Sequence, residues 1–235
     1  MTETSSSVAS AGQSELRDAA CVIVIDHSQP EPALLMGRRH ANQVFLPDKW
    51  VFPGGRVDAA DRKLADAFDG PYVPRNLAPE LRPFALAAVR ELSEETGLVI
   101  GADAEHHRYE CWPAFTATGY APAPVHLYPL ARAITPPGRV RRYDTWFFTA
   151  SRTAVAEKQV APDGELLDLD WFTVDAARRL DLPNITRLVL DDVSARLQNT
   201  SQAMDFIGLE LPFYYADACG FQRTLISCTM PQHTP

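Results

Sequence analysis

Glu91, Glu94 and Glu95 crowd the end of the clearest helix in the sequence, expected over Phe84–Thr96 and rich in alanine and leucine. Pro83 suits the first turn of that helix, and Gly97 suits a left-handed cap at its end. With successive residues turned by about 100°, Ala85, Ala88, Val89, Leu92 and Thr96 share an apolar arc, and the three glutamates fall together on the next. Like charges at this spacing repel by roughly 0.2–0.5 kcal/mol per pair. Carboxylates near a helix C-terminus also oppose the macrodipole by about 0.3–1 kcal/mol each. Helix stability therefore does not account for the cluster. Two readings remain: a solvated acidic face with Arg90 paired to Glu94, or a cation held by the carboxylates. Magnesium fits the second, because it prefers hard oxygen ligands and fills its remaining positions with water and phosphate.

The pattern around the helix predicts a mixed α/β sandwich. Ala19–Ile25 reads as a buried strand, Ala33–Met36 as its neighbour, and Trp50–Phe52 as a short strand stopped by Pro53-Gly54-Gly55. Asp61–Pro83 carries four prolines and one short helix around Lys63–Phe68. Downstream, Val125–Ala133, Thr145–Ala150 and Leu167–Phe172 read as strands, Pro136–Arg142 as a basic turn, and Val174–Leu180 and Ile185–Leu197 as helices. Residues 1–17, polar and rich in serine and alanine, read as a disordered tail. Residues 199–235 are expected to pack on the domain as an extension or to remain partly flexible.

Composition narrows the function. A chain of 235 residues with 46% hydrophobic and 22% charged residues is that of a globular domain with a real core. A net charge of −8 argues against general nucleic-acid binding. The longest apolar run, Ala19–Ile25, is too short for a bilayer, and the N-terminus lacks a basic-then-apolar signal, so a cytoplasmic location is expected. Cys21, Cys111, Cys219 and Cys228 form no close pair, which favours reduced thiols over zinc.

Arg90-Glu91-Leu92-Ser93-Glu94-Glu95-Thr96-Gly97-Leu98 resembles the second half of the Nudix box, R-E-U-x-E-E-x-G-U with U aliphatic, and fills every specified position. The first half, G-x5-E-x7, is matched by Gly55 and Asp61 at the right spacing, with aspartate replacing glutamate. Between Asp61 and Arg90 lie 28 residues where the pattern has seven, so the box is split by an insertion spanning about 62–82. Phe52-Pro53-Gly54-Gly55-Arg56-Val57-Asp58 is similar to the loop that precedes the box. The split box resembles a branch that includes peroxisomal-type coenzyme A diphosphatases and unassigned bacterial proteins. The L-L-T-x-R-S signature of better-defined coenzyme A hydrolases has only a loose counterpart in Leu34–Arg39.

The resemblance covers about 18–198 and implies a Nudix-type α/β/α sandwich with a mixed central sheet and an insertion before the catalytic helix. It implies a magnesium-dependent hydrolase, with manganese as a substitute, that cleaves a phosphoanhydride bond in a nucleoside diphosphate derivative. Glu94 and Glu95 would then be metal ligands, Glu91 a third ligand or the base, and Arg90 the residue that orients Glu91. Gly54, Gly55, Asp58 and Asp61 would form the loop, the two aspartates serving either as contacts of the metal and its waters or as turn formers. Glu165, in the loop before Leu167–Phe172, is the candidate for a further ligand or alternative base. The pairs Arg38-Arg39 and Arg141-Arg142 flank expected strands and are candidates for phosphate contacts, against the alternative of exposed, unpartnered charges. Three alternatives stay open: a catalytically silent nucleotide-sensing domain, coenzyme A or acyl-coenzyme A as substrate, and a homodimer.

Overall fold

The computed structural model describes residues 14–68, 72–73, 77–103, 111–156, 161–199 and 210–227. Its centre is a mixed sheet. The strands are β1 (Leu16–Asp26), β2 (Ala33–Arg39), β3 (Trp50–Val51), β4 (Gly54–Arg56), β7 (Tyr128–Ile134), β8 (Arg142–Ser151), β9 (Leu166–Thr173), β10 (Glu210–Asp217) and β11 (Gly220–Ser227). They run in the order β11-β10-β7-β8-β1-β2-β3, with β4 also paired to β1 and β9 to β2. β1 and β8 are parallel over ten residue pairs, as are β10 and β7 over two, and the remaining pairs are antiparallel. The short strands β5 (Gly101–Asp103) and β6 (Tyr120–Pro122) pair separately.

Side chains alternate across β1, and each set finds its own layer. Ala20, Val22 and Val24 face a core shared with α1 (Ala59–Ala67) and α2 (Arg82–Thr96). Ile23 and Ile25 face the other core, filled by α4 (Val174–Ala177) and α5 (Asn184–Asn199). A short helix α3 (Pro113–Thr116) precedes β6 and places Trp112 and Phe115 in the first core. The result is the expected α/β/α sandwich.

Several boundaries move. Leu16 and Arg17 are the first residues of β1 rather than part of a tail, because β1 continues to pair with β8 at Leu16–Arg142 and Arg17–Tyr143. Residues 1–13 lie outside the described residues. The strand expected at Val125 starts at Tyr128, since Pro124–His126 forms a 3-10 turn. The helix expected over Val174–Leu180 ends at Ala177. In the inserted stretch, α1 and a 3-10 turn at Pro79–Leu81 bury Leu64, Phe68, Leu77 and Leu81, so its described part belongs to the core. The described part of the C-terminal extension, β10 and β11, adds a hairpin to the sheet. Tyr214 of that hairpin donates its hydroxyl to Asp192 of α5 at 2.7 Å.

Candidate active site

Helix α2 is buried on more than its apolar arc. Leu86, Ala87, Arg90, Ser93 and Glu95 are buried alongside Ala85, Ala88, Val89 and Leu92. Gly97, with φ 76°, closes the helix by donating its N–H to Ser93 O at 3.0 Å. The Glu94 carbonyl, also orphaned by the helix end, accepts the Asp163 N–H at 2.7 Å. That bond fastens the loop before β9 to the acidic end of α2.

The Gly54-Gly55 strand lies between α2 and β1. A Cβ on Gly54 would meet Ala20 O at 2.3 Å and Cys21 Cα at 2.6 Å, so only glycine lets β4 come this close to β1. The Gly54 N–H donates to Glu95 Oε2 at 2.7 Å and fixes one oxygen of a carboxylate that is 2% exposed. Glu91 packs its carboxylate against Gly55.

Arg90 organises the rest. Its Nη1 donates to Glu91 Oε1 at 2.9 Å and to Glu94 Oε2 at 2.7 Å. The expected Arg90–Glu91 contact and the simpler Arg90–Glu94 pair therefore both form. On its other side, Nε and Nη2 donate to Asp61 Oδ1 and Oδ2, each at 2.9 Å. Asp61, expected either to contact the metal and its waters or to form a turn, is completely buried. It sits beneath Arg90 in the first turn of α1, not in a loop, and its oxygens are taken by donors. Asp58 is exposed at the N-cap of α1 and lies on the site side.

A cleft of about 1300 Å³ opens from Glu91 and Glu94 across the sheet. Its floor follows the strand register: Arg17, Ala19 and Cys21 of β1 stand beside Tyr143, Thr145 and Phe147 of β8, and Ala133 of β7 beside Tyr214 of β10. Of the four arginines proposed from the sequence for phosphate contacts, Arg39 and Arg141 line it. Arg38 and Arg142, the other two candidates, lie outside its lining. Arg38 pairs with Asp168 at 2.6 Å and Asp48 at 3.0 Å, and Arg142 donates to Thr135 O at 3.1 Å. The reason is strand alternation, which turns neighbouring side chains to opposite faces. Arg17, Arg56 and Arg139 line the cleft as well and were not anticipated. Arg56 lay within a recognised loop, whereas Arg17 was hidden in the supposed tail.

Glu165 lines the cleft opposite α2, where its Oε2 accepts from Gln43 Nε2 at 3.2 Å. Asp163 lines it too, and its carboxylate accepts the Glu165 N–H at 2.8 Å. The D-G-E order in the sequence pointed to the loop but not to both acids.

Burial is the largest cause that raises all three helix carboxyls. Glu91 is pushed up to about 7, with Glu94 adding repulsion and Arg90 opposing. Glu94 is raised, with Asp163 contributing. Glu95 stands well above the usual range, with Glu91 and Glu165 contributing. The Cys21 thiol is pushed up to about 12 by burial and by Glu95 and Glu91. Glu91, Glu94 and Asp61 all converge on the single Arg90 guanidinium, so carboxylates outnumber the cation that binds them. An all-oxygen donor set with unneutralised charge fits a hard divalent cation. Among the described residues, no three acidic, histidine or cysteine side chains already converge on one point. Glu91 and Glu94 turn to Arg90, and Glu95 turns to Gly54.

Residues 83–193 match the family model described as NUDIX domain. Over 86 residues the chain is 36% identical to "Putative nudix hydrolase 7" of Caenorhabditis elegans, a match covering 37% of this chain and 23% of that protein. The chain therefore spans under a quarter of that relative's length. The crystal structure of a NUDIX hydrolase from Alicyclobacillus acidocaldarius superposes with a TM-score of 0.60 and 25% identity, over 76% of this chain and 90% of that one. No helix among the described residues is long and apolar enough to cross a membrane.

Proposed function

The chain belongs to the NUDIX family, and from that premise we propose that it hydrolyses a phosphoanhydride bond in a nucleoside diphosphate derivative with the help of magnesium. The observation that carries this reading is the placement of Glu91 and Glu94 at one end of an arginine-lined cleft, with Glu95 buried beside them on the Gly54 N–H and Glu91 set against Gly55. Manganese would substitute, because the donors are carboxylate oxygens in both cases.

In this reading Glu94 and Glu95 would hold the cation, with Glu91 as a third ligand or as the base for water. When bound, it neutralises phosphate charge and makes water more acidic. Arg39, Arg56 and Arg141 meet phosphate oxygens and orient the diphosphate along the floor. Where Glu91 is not itself a ligand, it would accept the proton of the attacking water, and Glu165 in the loop before β9 is the alternative base. The water oxygen bonds to phosphorus, the bridging P–O bond breaks, and the leaving phosphate departs with the bridging oxygen. Arg90 keeps Glu91 and Glu94 at fixed positions throughout.

The test is a panel of nucleotide sugars, dinucleotides and coenzyme A, assayed with magnesium and with manganese. Wild-type protein is expected to release a nucleoside monophosphate or its equivalent from at least one of them. Glu95→Gln keeps an acceptor for the Gly54 N–H while removing the charge, and it should abolish turnover. Full activity in that variant would overturn the metal assignment. A wild type inert on every compound with both ions would instead favour a binding domain without catalysis.

A further inference from the structure

The buried side of Arg90 ends on Asp61, and Asp61 in turn meets a residue that belongs to no motif, Trp112. Asp61 Oδ1 accepts from Arg90 Nε at 2.9 Å and from the indole Nε1–H of Trp112 at 3.1 Å. Its Oδ2 accepts from Arg90 Nη2 at 2.9 Å and from the Asp58 backbone N–H at 2.8 Å. All four acceptor directions of the carboxylate are therefore filled. Arg90 is equally saturated: Nε and Nη2 face Asp61, Nη2 also faces Arg56 O at 2.9 Å, and Nη1 divides between Glu91 and Glu94. All five guanidinium N–H groups have acceptors.

We propose that Trp112 is a positioning residue for the hydrolytic site: its indole N–H orients Asp61, Asp61 fixes the plane of Arg90, and Arg90 sets the carboxylates of Glu91 and Glu94. The inference rests on the hydrolase reading for its consequence in turnover, but not for the hydrogen-bond relay itself. Aspartate swings about few bonds, yet without the indole its Oδ1 keeps one partner and the carboxylate can rotate away from a side-on grip of Arg90. Trp112 is well placed to prevent this. It is 3% exposed, it packs against Phe115 with ring centroids 5.4 Å apart, and it stands at the start of α3. Arg90 is the direct outer partner of Glu91 and Glu94, and loss of such a partner costs about 10–100-fold in metal affinity or activity; Trp112 acts on it through Asp61, so its effect belongs at the lower end of that range.

The cleanest test replaces Trp112 with benzothienylalanine, which keeps the fused ring and removes only the N–H. Trp112→Phe is a second variant made from ordinary residues. Three quantities are read in the full-length protein: Mn2+ affinity by electron paramagnetic resonance, kcat and KM, and exchange of the Arg90 Nε–H by 15N NMR. Mn2+ affinity and kcat are expected to fall about tenfold, KM to stay near its wild-type value, and the Arg90 proton to exchange faster. A lower melting temperature with all three unchanged would overturn the proposal and leave Trp112 as core packing. If the wild type turns over no compound, the hydrolase reading fails by itself, and Arg90 exchange still decides whether the indole holds the relay.

Discussion

Glu91 carries its carboxylate directly against the backbone of Gly55: a Cβ built there would lie 2.4 Å from Glu91 Cδ and 2.4 and 2.5 Å from its two oxygens. The glycine is thus part of the carboxylate's seat. Gly55→Ala should push Glu91 away by about an ångström, a displacement that costs on the order of 100-fold in rate. The clashing atoms are the end of a side chain, so the fold should survive. Circular dichroism is expected to match wild type while kcat collapses. An alanine variant with normal kcat would mean that Glu91 does not work from this position.

Asp61 offers a separation of roles. If it touched the metal, its removal would act on cation binding first. Because it is buried beneath Arg90, its neutralisation should act on folding first. Asp61→Asn removes the fully buried carboxylate from Arg90 but leaves Glu91 and Glu94 paired to it, and stability should drop by about 1–3 kcal/mol. Urea unfolding with the metal removed would show it. An unchanged midpoint there, with weakened Mn2+ binding, would restore the metal role.

Much of this site was legible because its parts are local in sequence. The glutamates at i, i+3 and i+4 revealed themselves through charge placement alone, and Gly97 stopped the helix where expected. What escaped depends on pairing between distant segments. Trp112 meets Asp61 across 51 positions, and nothing near either residue announces that contact. Arg17 enters the cleft because β1 runs past its apolar stretch to pair with β8. The C-terminal hairpin looked ambiguous because much of β11 is exposed and carries no clean alternation. Adjacent arginines were read as pairs, although a strand sends one to each face.

That last point gives a comparison between neighbours. Arg39 and Arg141 line the cleft, whereas Arg38 is held on the outside by Asp48 and Asp168. Arg39→Ala and Arg141→Ala should each raise KM, by about tenfold for a lost contact near 1.4 kcal/mol, and the effect should shrink at high salt. Arg38→Ala should leave KM unchanged. Steady-state kinetics on the best substrate of the panel would decide. Equal effects at Arg38 and Arg39 would show that the cleft does not discriminate the two faces of β2.

The carboxyls also make a prediction about stability and pH. Glu91 is raised from an ordinary 4.5 to about 7, chiefly by burial, and Glu94 and Glu95 are raised in the same direction. Below about 4.5 the folded and unfolded chains both hold the Glu91 proton, and there is no penalty. Between 4.5 and 7 the unfolded chain releases a proton that the folded chain keeps, so the folded state loses ground as pH rises. Above about 7 the penalty is complete. Metal-free protein should therefore show a melting-temperature contribution that declines from pH 5 to pH 7.5, and Glu91→Gln should flatten that decline. A divalent ion binds the ionised carboxylates of the folded state, so magnesium should raise the melting temperature more at pH 7.5 than at pH 5. Calorimetry with chelator and with magnesium across this range would test both statements. An identical pH slope in wild type and Glu91→Gln would refute the first, and a magnesium effect independent of pH would refute the second.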